Sequence, residues 1–266
     1  MNQPIAEEIA RAHRDRRNCV VTTVAVATGS APRAAGAKMI VYPGGLISGT
    51  VGGGRFESLV IAEALAGVAR EEPWLKTYPL HEGDAASFGA ICGGVVTVFF
   101  EPLKAGPALH IIGAGHCAQA LAKLAADCGW HVSVVDDREE WLALALAAHR
   151  RVASRSPAEY IAAQQWSASD ALVIVSRNYM IDREALEAAL LQPTMGYLGM
   201  IGSRKKVRQV FDELKSAGVD EKQFARVHAP IGLDLGSDSP PEIAVSVMAE
   251  ILQVTRKATG RPLSQL

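Results

Sequence analysis

The sequence has no surplus of positive charge. Across 266 residues, 27 Lys and Arg stand against 28 Asp and Glu, a formal net charge of -1. Phosphate backbones are held by an excess of Lys and Arg, so nucleic acid is excluded as the main partner. Long apolar runs are also missing. The smoothest stretch, Trp141 to Ala148, falls far short of the roughly 18–20 residues a spanning helix needs. The opening Met1-Asn2-Gln3-Pro4, with Glu7 and Glu8 behind it, has neither a basic n-region nor an apolar h-region, so no signal peptide is expected. These absences predict a soluble, cytoplasmic protein with no membrane partner. Cysteine is sparse. Cys19, Cys92, Cys117 and Cys128 form no CxxC pair and have no His at zinc-finger spacing, which argues against a structural zinc site. At least three of the four are expected to be small buried hydrophobes. There is no internal repeat and no low-complexity segment.

What is present suffices for a packed core: 49% of residues are hydrophobic, far from a disordered composition. Length suggests one or two domains. The 24 glycines are about 9% of the chain, against a typical ~7%, and they gather in a few clusters. The first part reads as a smaller α+β domain, residues 1–104. It has a helix near Ile5 to Arg16, the β-branched run Cys19 to Val26, strands at Lys38 to Tyr42 and Leu46 to Val51, and a helix from Arg55 to Arg70. Strands at Trp74 to Leu80 and Val95 to Phe100 close it, with Phe88 to Gly94 interrupting between them. Pro102, Gly106 and Pro107 mark a linker. Residues 105–266 then alternate strand and helix, which predicts an α/β domain with a Rossmann-like, doubly wound parallel sheet. Its strands are Leu109 to Ile112, Val132 to Val135, Ala171 to Val175 and Tyr197 to Ile201. Its helices start near His116, Glu139, Asp182, Lys205 and Ile243.

The most specific motif is Gly113-Ala114-Gly115-His116-Cys117-Ala118, which leaves a strand and opens a helix. Gly113 allows the tight turn, Gly115 lets a pyrophosphate approach the backbone, and Ala118 lets the helix pack close to the sheet. Asp136 (or Asp137) stands where an acid would hold ribose hydroxyls, so a nucleotide such as NAD or AMP is a candidate ligand. Gly202-Ser203-Arg204 opens another helix, with Ser203 as its N-cap. The basic residues Arg204, Lys205 and Lys206 oppose that helix's dipole, which points to a bound anion there. His228 and Asp234 lie in a Gly/Pro-shaped loop near the carboxyl edge of the sheet, before a capping box at Ser239-Pro240-Pro241-Glu242. In the first domain, Gly52-Gly53-Gly54 precedes a helix and can either hold anionic oxygens or make a turn. Cys92-Gly93-Gly94 places a thiol between flexible backbone segments, open to a bulky ligand.

Taken in order, Gly49-Thr50-Val51-Gly52-Gly53-Gly54, Cys92-Gly93-Gly94, Gly113-Ala114-Gly115-His116, Gly196 to Lys205, His228 to Asp234 and Pro241 to Ser246 closely resemble the XdhC/CoxI family of xanthine dehydrogenase accessory proteins. The resemblance covers about Cys19 to Leu252. Ser176-Arg177-Asn178-Tyr179, with Asp182 behind it, departs from the Thr-His/Arg-Asp-His-like form associated with that position. The resemblance implies a non-catalytic maturation factor that binds the molybdenum cofactor (molybdopterin) and supports its sulfuration by a cysteine desulfurase. It would then deliver the cofactor to the xanthine dehydrogenase apo-enzyme. In that picture Cys92 lies near the molybdenum and the glycine loops hold the pterin phosphate. A homodimer is expected, to cover sheet edges of the small first domain. Two other readings compete. One is an NAD(P)-dependent oxidoreductase using Gly113, Gly115 and Asp136 for cofactor and His228 with Asp234 as acid and base. The other is a protein-docking adaptor that binds neither ligand.

Overall fold

A computed structural model describes residues 3–80 and 94–265. The chain divides into two compact units, residues 1–105 and 106–266. No described helix is long and apolar enough to cross a membrane.

The first unit is a five-stranded sheet in the order β3-β2-β1-β5-β4, with β1 at Cys19–Thr28, β2 at Lys38–Val41, β3 at Ile47–Gly49, β4 at Trp74–Leu80 and β5 at Gly94–Leu103. All its pairings are antiparallel. Helix α1 (Gln3–Arg14) is pinned by the buried Glu8, which accepts a 2.6 Å bond from the Tyr42 hydroxyl. Burial and the Glu8 carboxylate together push the Tyr42 hydroxyl up to about 12. Helix α2 (Gly54–Ala66) buries Phe56, Val60 and Ala64, one residue per turn. Gly94 is needed for close approach, since a Cβ there would lie 2.6 Å from the Thr28 carbonyl and 2.7 Å from that of Ser30.

The second unit is a six-stranded, all-parallel sheet in the order β11-β10-β9-β6-β7-β8. Its strands are β6 (Ala108–Ile112), β7 (His131–Asp136), β8 (Arg150–Ala153), β9 (Ala171–Ile174), β10 (Tyr197–Met200) and β11 (Val227–His228). Counted within the unit this is 3-2-1-4-5-6, the doubly wound dinucleotide-binding order. Strands β6, β9 and β10 are buried throughout, as both faces of a parallel sheet require. Helices α3 (His116–Asp127), α4 (Glu139–Leu144), α5 (Pro157–Ala162), α6 (Tyr179–Leu190), α7 (Arg204–Ser216) and α8 (Pro240–Thr255) complete it. One core packs α3 and α8 on one face of the sheet, and a second packs α6 and α7 on the other.

Several expectations change. Helix α4 stops at Leu144, inside the apolar stretch Trp141 to Ala148. The chain then forms β8 and α5, neither of which the sequence pattern predicts. His228 belongs to a strand rather than to a loop. Cys128 is exposed at the end of α3 and Cys117 is half-buried, so only Cys19 of the described cysteines is a buried one. The cysteine expectation fails for Cys128 because a helix C-terminus faces solvent there.

Candidate functional site

The sheet order reverses between β6 and β9, and open parallel sheets bind ligands at that point, outside the carboxyl ends of the strands. The Gly113-Ala114-Gly115 turn lies there. Gly113 has φ +113°, and a Cβ on it would sit 2.5 Å from the Val175 carbonyl oxygen just past β9. Gly115 differs: the space a Cβ would take is empty to 4 Å. No side chain caps α3 behind Gly115, so the first N–H groups of that helix lack a side-chain cap. Ala118 is fully buried. His116 is exposed and meets Trp141 edge-on, ring centres 5.3 Å apart.

Asp136 closes the turn from β7. Its Oδ2 accepts the Ala114 N–H at 2.8 Å and an Arg138 guanidinium N–H at 2.9 Å. Its Oδ1 accepts the Arg138 backbone N–H at 3.0 Å and Nε–H at 2.8 Å. Both carboxylate oxygens are thus committed within the chain, and the side chain is 4% exposed. Burial raises the Asp136 pKa, but the bonds from Arg138 and Ala114 outweigh it, and the net direction is downward. Next to it, Arg177 from the loop after β9 grips Asp137 through two bonds, at 2.5 and 2.9 Å, which hold the Asp137 carboxyl well below its ordinary range. With side chains 40% and 32% exposed, that pair contributes about 1 kcal/mol at most. The crevice lined by Gly113, Asp136, Asp137, Arg155 and Arg177 has about 20 Å³ of free volume, room for one water.

The loop carrying Arg177 is fixed from below. Asp182, fully buried in α6, accepts the Ser176 N–H at 3.2 Å and pairs with the Lys206 ammonium. Asn178 caps α6 through the Met180 N–H at 2.8 Å. Gly202-Ser203-Arg204 stands at the start of α7, where Ser203 caps the Lys206 N–H at 3.2 Å. Lys206 points inward to Asp182, so its charge has a partner within the chain rather than awaiting an anion. Arg204 lines a wide groove of about 850 Å³ on the outer side of α6 and α7; the switch-point crevice is a separate cavity.

His228 and Asp234 are not brought together. His228 stacks on Tyr197 at 4.7 Å and its Nδ1 lies 3.3 Å from Glu250. Glu250 also accepts the Tyr197 hydroxyl at 2.5 Å and the Gly232 N–H at 2.8 Å. Burial opposes ionisation of Glu250, yet the bonds from His228, Tyr197 and Gly232 hold its pKa below the ordinary value. Asp234 is exposed. Sequence reasoning missed Glu250 and Arg177; the S-x-x-E spacing drew attention to Glu242 instead. That glutamate does cap α8, accepting N–H groups from Asp238 at 3.2 Å and Ser239 at 3.1 Å.

In the first unit Glu57 occupies the glycine loop. Its carboxylate accepts the Val51 and Gly53 N–H groups, each at 3.1 Å, and the Thr50 hydroxyl, while Gly52 N–H donates to Thr50 Oγ1 at 3.1 Å. The Gly53 donor is therefore already used by an internal anion, and the Gly52 donor by the Thr50 hydroxyl. Gly94 opens β5, and Cys92 and Gly93 lie outside the described residues. Among the described residues no cluster of three His, Cys, Asp or Glu side chains could hold a metal ion.

The depressed carboxyls set an acid limit. A carboxyl whose folded pKa lies below its unfolded value stabilises the fold above about pH 4. That contribution disappears as pH falls through the folded pKa. Asp136, Asp137 and Glu250 all shift downward. Urea midpoints followed by circular dichroism should therefore fall from about pH 5 to pH 3. Midpoints constant over that range would contradict these networks.

Residues 109–251 match the XdhC Rossmann domain and residues 12–79 the XdhC and CoxI family. The chain is 36% identical over 254 residues to the uncharacterised protein YqeB of Escherichia coli (strain K12), covering 92% of this chain and 46% of the relative. It is 30% identical over 161 residues to a Bacillus subtilis (strain 168) protein named as a probable xanthine dehydrogenase subunit, covering 60% of this chain and 46% of that one. The chain thus spans about half the length of these curated relatives. A solved structure described as a xanthine dehydrogenase from Bacillus halodurans shares the fold, with TM-score 0.51 and 19% identity over 99% of this chain and 98% of that one.

Proposed function

Because this chain belongs to the XdhC and CoxI family, we propose that it serves in the maturation of a xanthine dehydrogenase, binding the molybdenum cofactor, supporting its sulfuration and passing it to the apo-enzyme. The observation that carries this reading is the switch-point turn of the XdhC Rossmann domain, where Gly115 leaves open space before a helix without a side-chain cap. A pterin phosphate suits such a helix start, because backbone N–H groups and the helix dipole both favour an anion. When bound, the cofactor supplies the molybdenum centre; the chain's part is to hold its phosphate and exclude water. Cys92 is proposed to meet the soft metal end, since thiolates favour soft metals. A cysteine desulfurase and a second copy of this chain are the further partners of the proposal.

The oxidoreductase alternative is weakened by two observations. His228 pairs with Glu250 rather than Asp234, and the oxygens of Asp136 are already committed. The test is anaerobic purification followed by metal analysis and mass spectrometry of bound small molecules. It is paired with reconstitution of apo-xanthine dehydrogenase and cofactor titration of Cys92→Ala and Gly115→Asp. Bound pterin with molybdenum, faster reconstitution and weaker binding by both variants are expected. Hydride turnover with a nicotinamide, or unchanged affinity in both variants, would overturn the proposal.

A further inference from the structure

We infer that the switch-point crevice selects a phosphomonoester, held at its mouth by Arg155 and Arg177, and discriminates against an unmodified ribose diol. The inference rests on the reading above that the ligand's phosphate sits at the switch point, and it adds two arginine side chains at the crevice mouth to the N–H groups at the start of α3 that would hold it.

A diol is recognised by a carboxylate with oxygens to spare, and an arginine in that neighbourhood instead accommodates a phosphate. Asp136 has none to spare. Four N–H groups, three from Arg138 and one from Ala114, fill its two oxygens at 2.8 to 3.0 Å. A ribose hydroxyl would have to displace Arg138, which is also held over the Trp141 ring at 4.9 Å. The cations at the mouth have more freedom. Arg155 lines the crevice and is exposed, and among the described residues no carboxylate pairs with it. Arg177 is bound to Asp137, with both side chains over 30% exposed, and keeps a looser 3.6 Å ion pair to Asp136. It can therefore exchange that carboxylate for a phosphate, whose geometry suits the guanidinium fork equally well. Arg138 is spent on Asp136, and Arg177 feels the carboxylates of Asp137, Asp136 and Glu140, so Arg155 is the guanidinium at the mouth left for a ligand. In this arrangement Asp137 competes with the ligand for Arg177.

Two sources offer the same chemistry, a pterin phosphate and the 2′-phosphate of a nucleotide. Calorimetric titration of the full chain compares each with its unphosphorylated parent: pterin monophosphate against the pterin alcohol, and 2′-AMP against adenosine. At least one phosphorylated compound should bind roughly tenfold more tightly than its parent, and which one does so identifies the source. Arg155→Ala, at an exposed position, and Arg177→Ala should each abolish that advantage and leave the parent's affinity unchanged. Asp137→Asn should move the other way and tighten the phosphorylated compound severalfold, because Arg177 is released. Equal affinity of both pairs, no binding at all, or an Asp137→Asn variant that binds more weakly would overturn the inference. A failed reconstitution of the dehydrogenase would sink the accessory role without touching this preference. Loss of the preference would leave that role standing.

Discussion

Replacing Asp182 with alanine is expected to cost about 3–5 kcal/mol, because removing one partner of a buried pair strands the other. Asp182 is fully buried and its partner Lys206 is 26% exposed. Two donors lose their acceptor together, the Lys206 ammonium and the Ser176 N–H. Lys206 retains only a long 3.4 Å contact to the Ile201 carbonyl. Because Ser176 precedes Arg177, the loop at the switch point should loosen as well as the helix pair. At roughly 2–4 °C per kcal/mol for a unit of this size, the melting temperature should fall by about 10 °C. A second variant separates orphaned charge from lost packing. Asp182→Leu combined with Lys206→Met removes both charges and should recover much of the loss, as apolar replacement of a buried pair is often near neutral. Equal instability of the single and double variants would show that shape, and not the pair, holds α6 to α7. Hydrogen exchange at Ser176 and Asn178 should quicken in Asp182→Ala.

The parts of this chain that were legible in its sequence are those whose cause is local. The parallel sheet is legible because strands and helices alternate after Pro107, each marked by its own short pattern. The Gly113 turn and the Glu242 cap could be read for the same reason, since each is complete within six residues. Strand β8 could not be read: Arg150-Arg151-Val152-Ala153 lies at the sheet's edge, largely exposed, and carries no apolar pattern. The ionic partners were hidden by distance along the chain. Lys206 and Asp182 are 24 positions apart, Arg177 and Asp137 40, Tyr197 and Glu250 53. Distance along the chain also hides Ala114 as a partner of Asp136, the acid that ends β7 and whose position suggests a ribose. Its spacing from the glycine turn is right for that role, but spacing says nothing of Arg138 folding back onto it.

Gly113→Ala and Gly115→Ala should separate the fold from the ligand site, although the two glycines are one residue apart. At Gly113, φ is +113° and an added Cβ would lie 2.5 Å from the Val175 oxygen, 2.9 Å from its carbonyl carbon and 3.0 Å from the Ser176 Cα. All three are backbone atoms of the neighbouring strand's exit, so no side chain can swing aside to relieve the clash. Backbone strain of about 1–3 kcal/mol and overpacking of similar size should together cost about 3 kcal/mol or more. A fall in melting temperature of roughly 6–12 °C is the measurable result. At Gly115, φ is -67° and nothing lies within 4 Å of the added methyl. Stability there should hold or rise slightly, because alanine restricts the unfolded chain. The methyl does, however, occupy the space through which a phosphate reaches the first N–H groups of α3. Gly115→Ala should therefore bind a phosphorylated ligand about tenfold more weakly while melting like the parent. If Gly113→Ala melts like the parent, the close approach of the turn to β9 is wrong. If Gly115→Ala binds like the parent, the start of α3 is not where the ligand's phosphate lies.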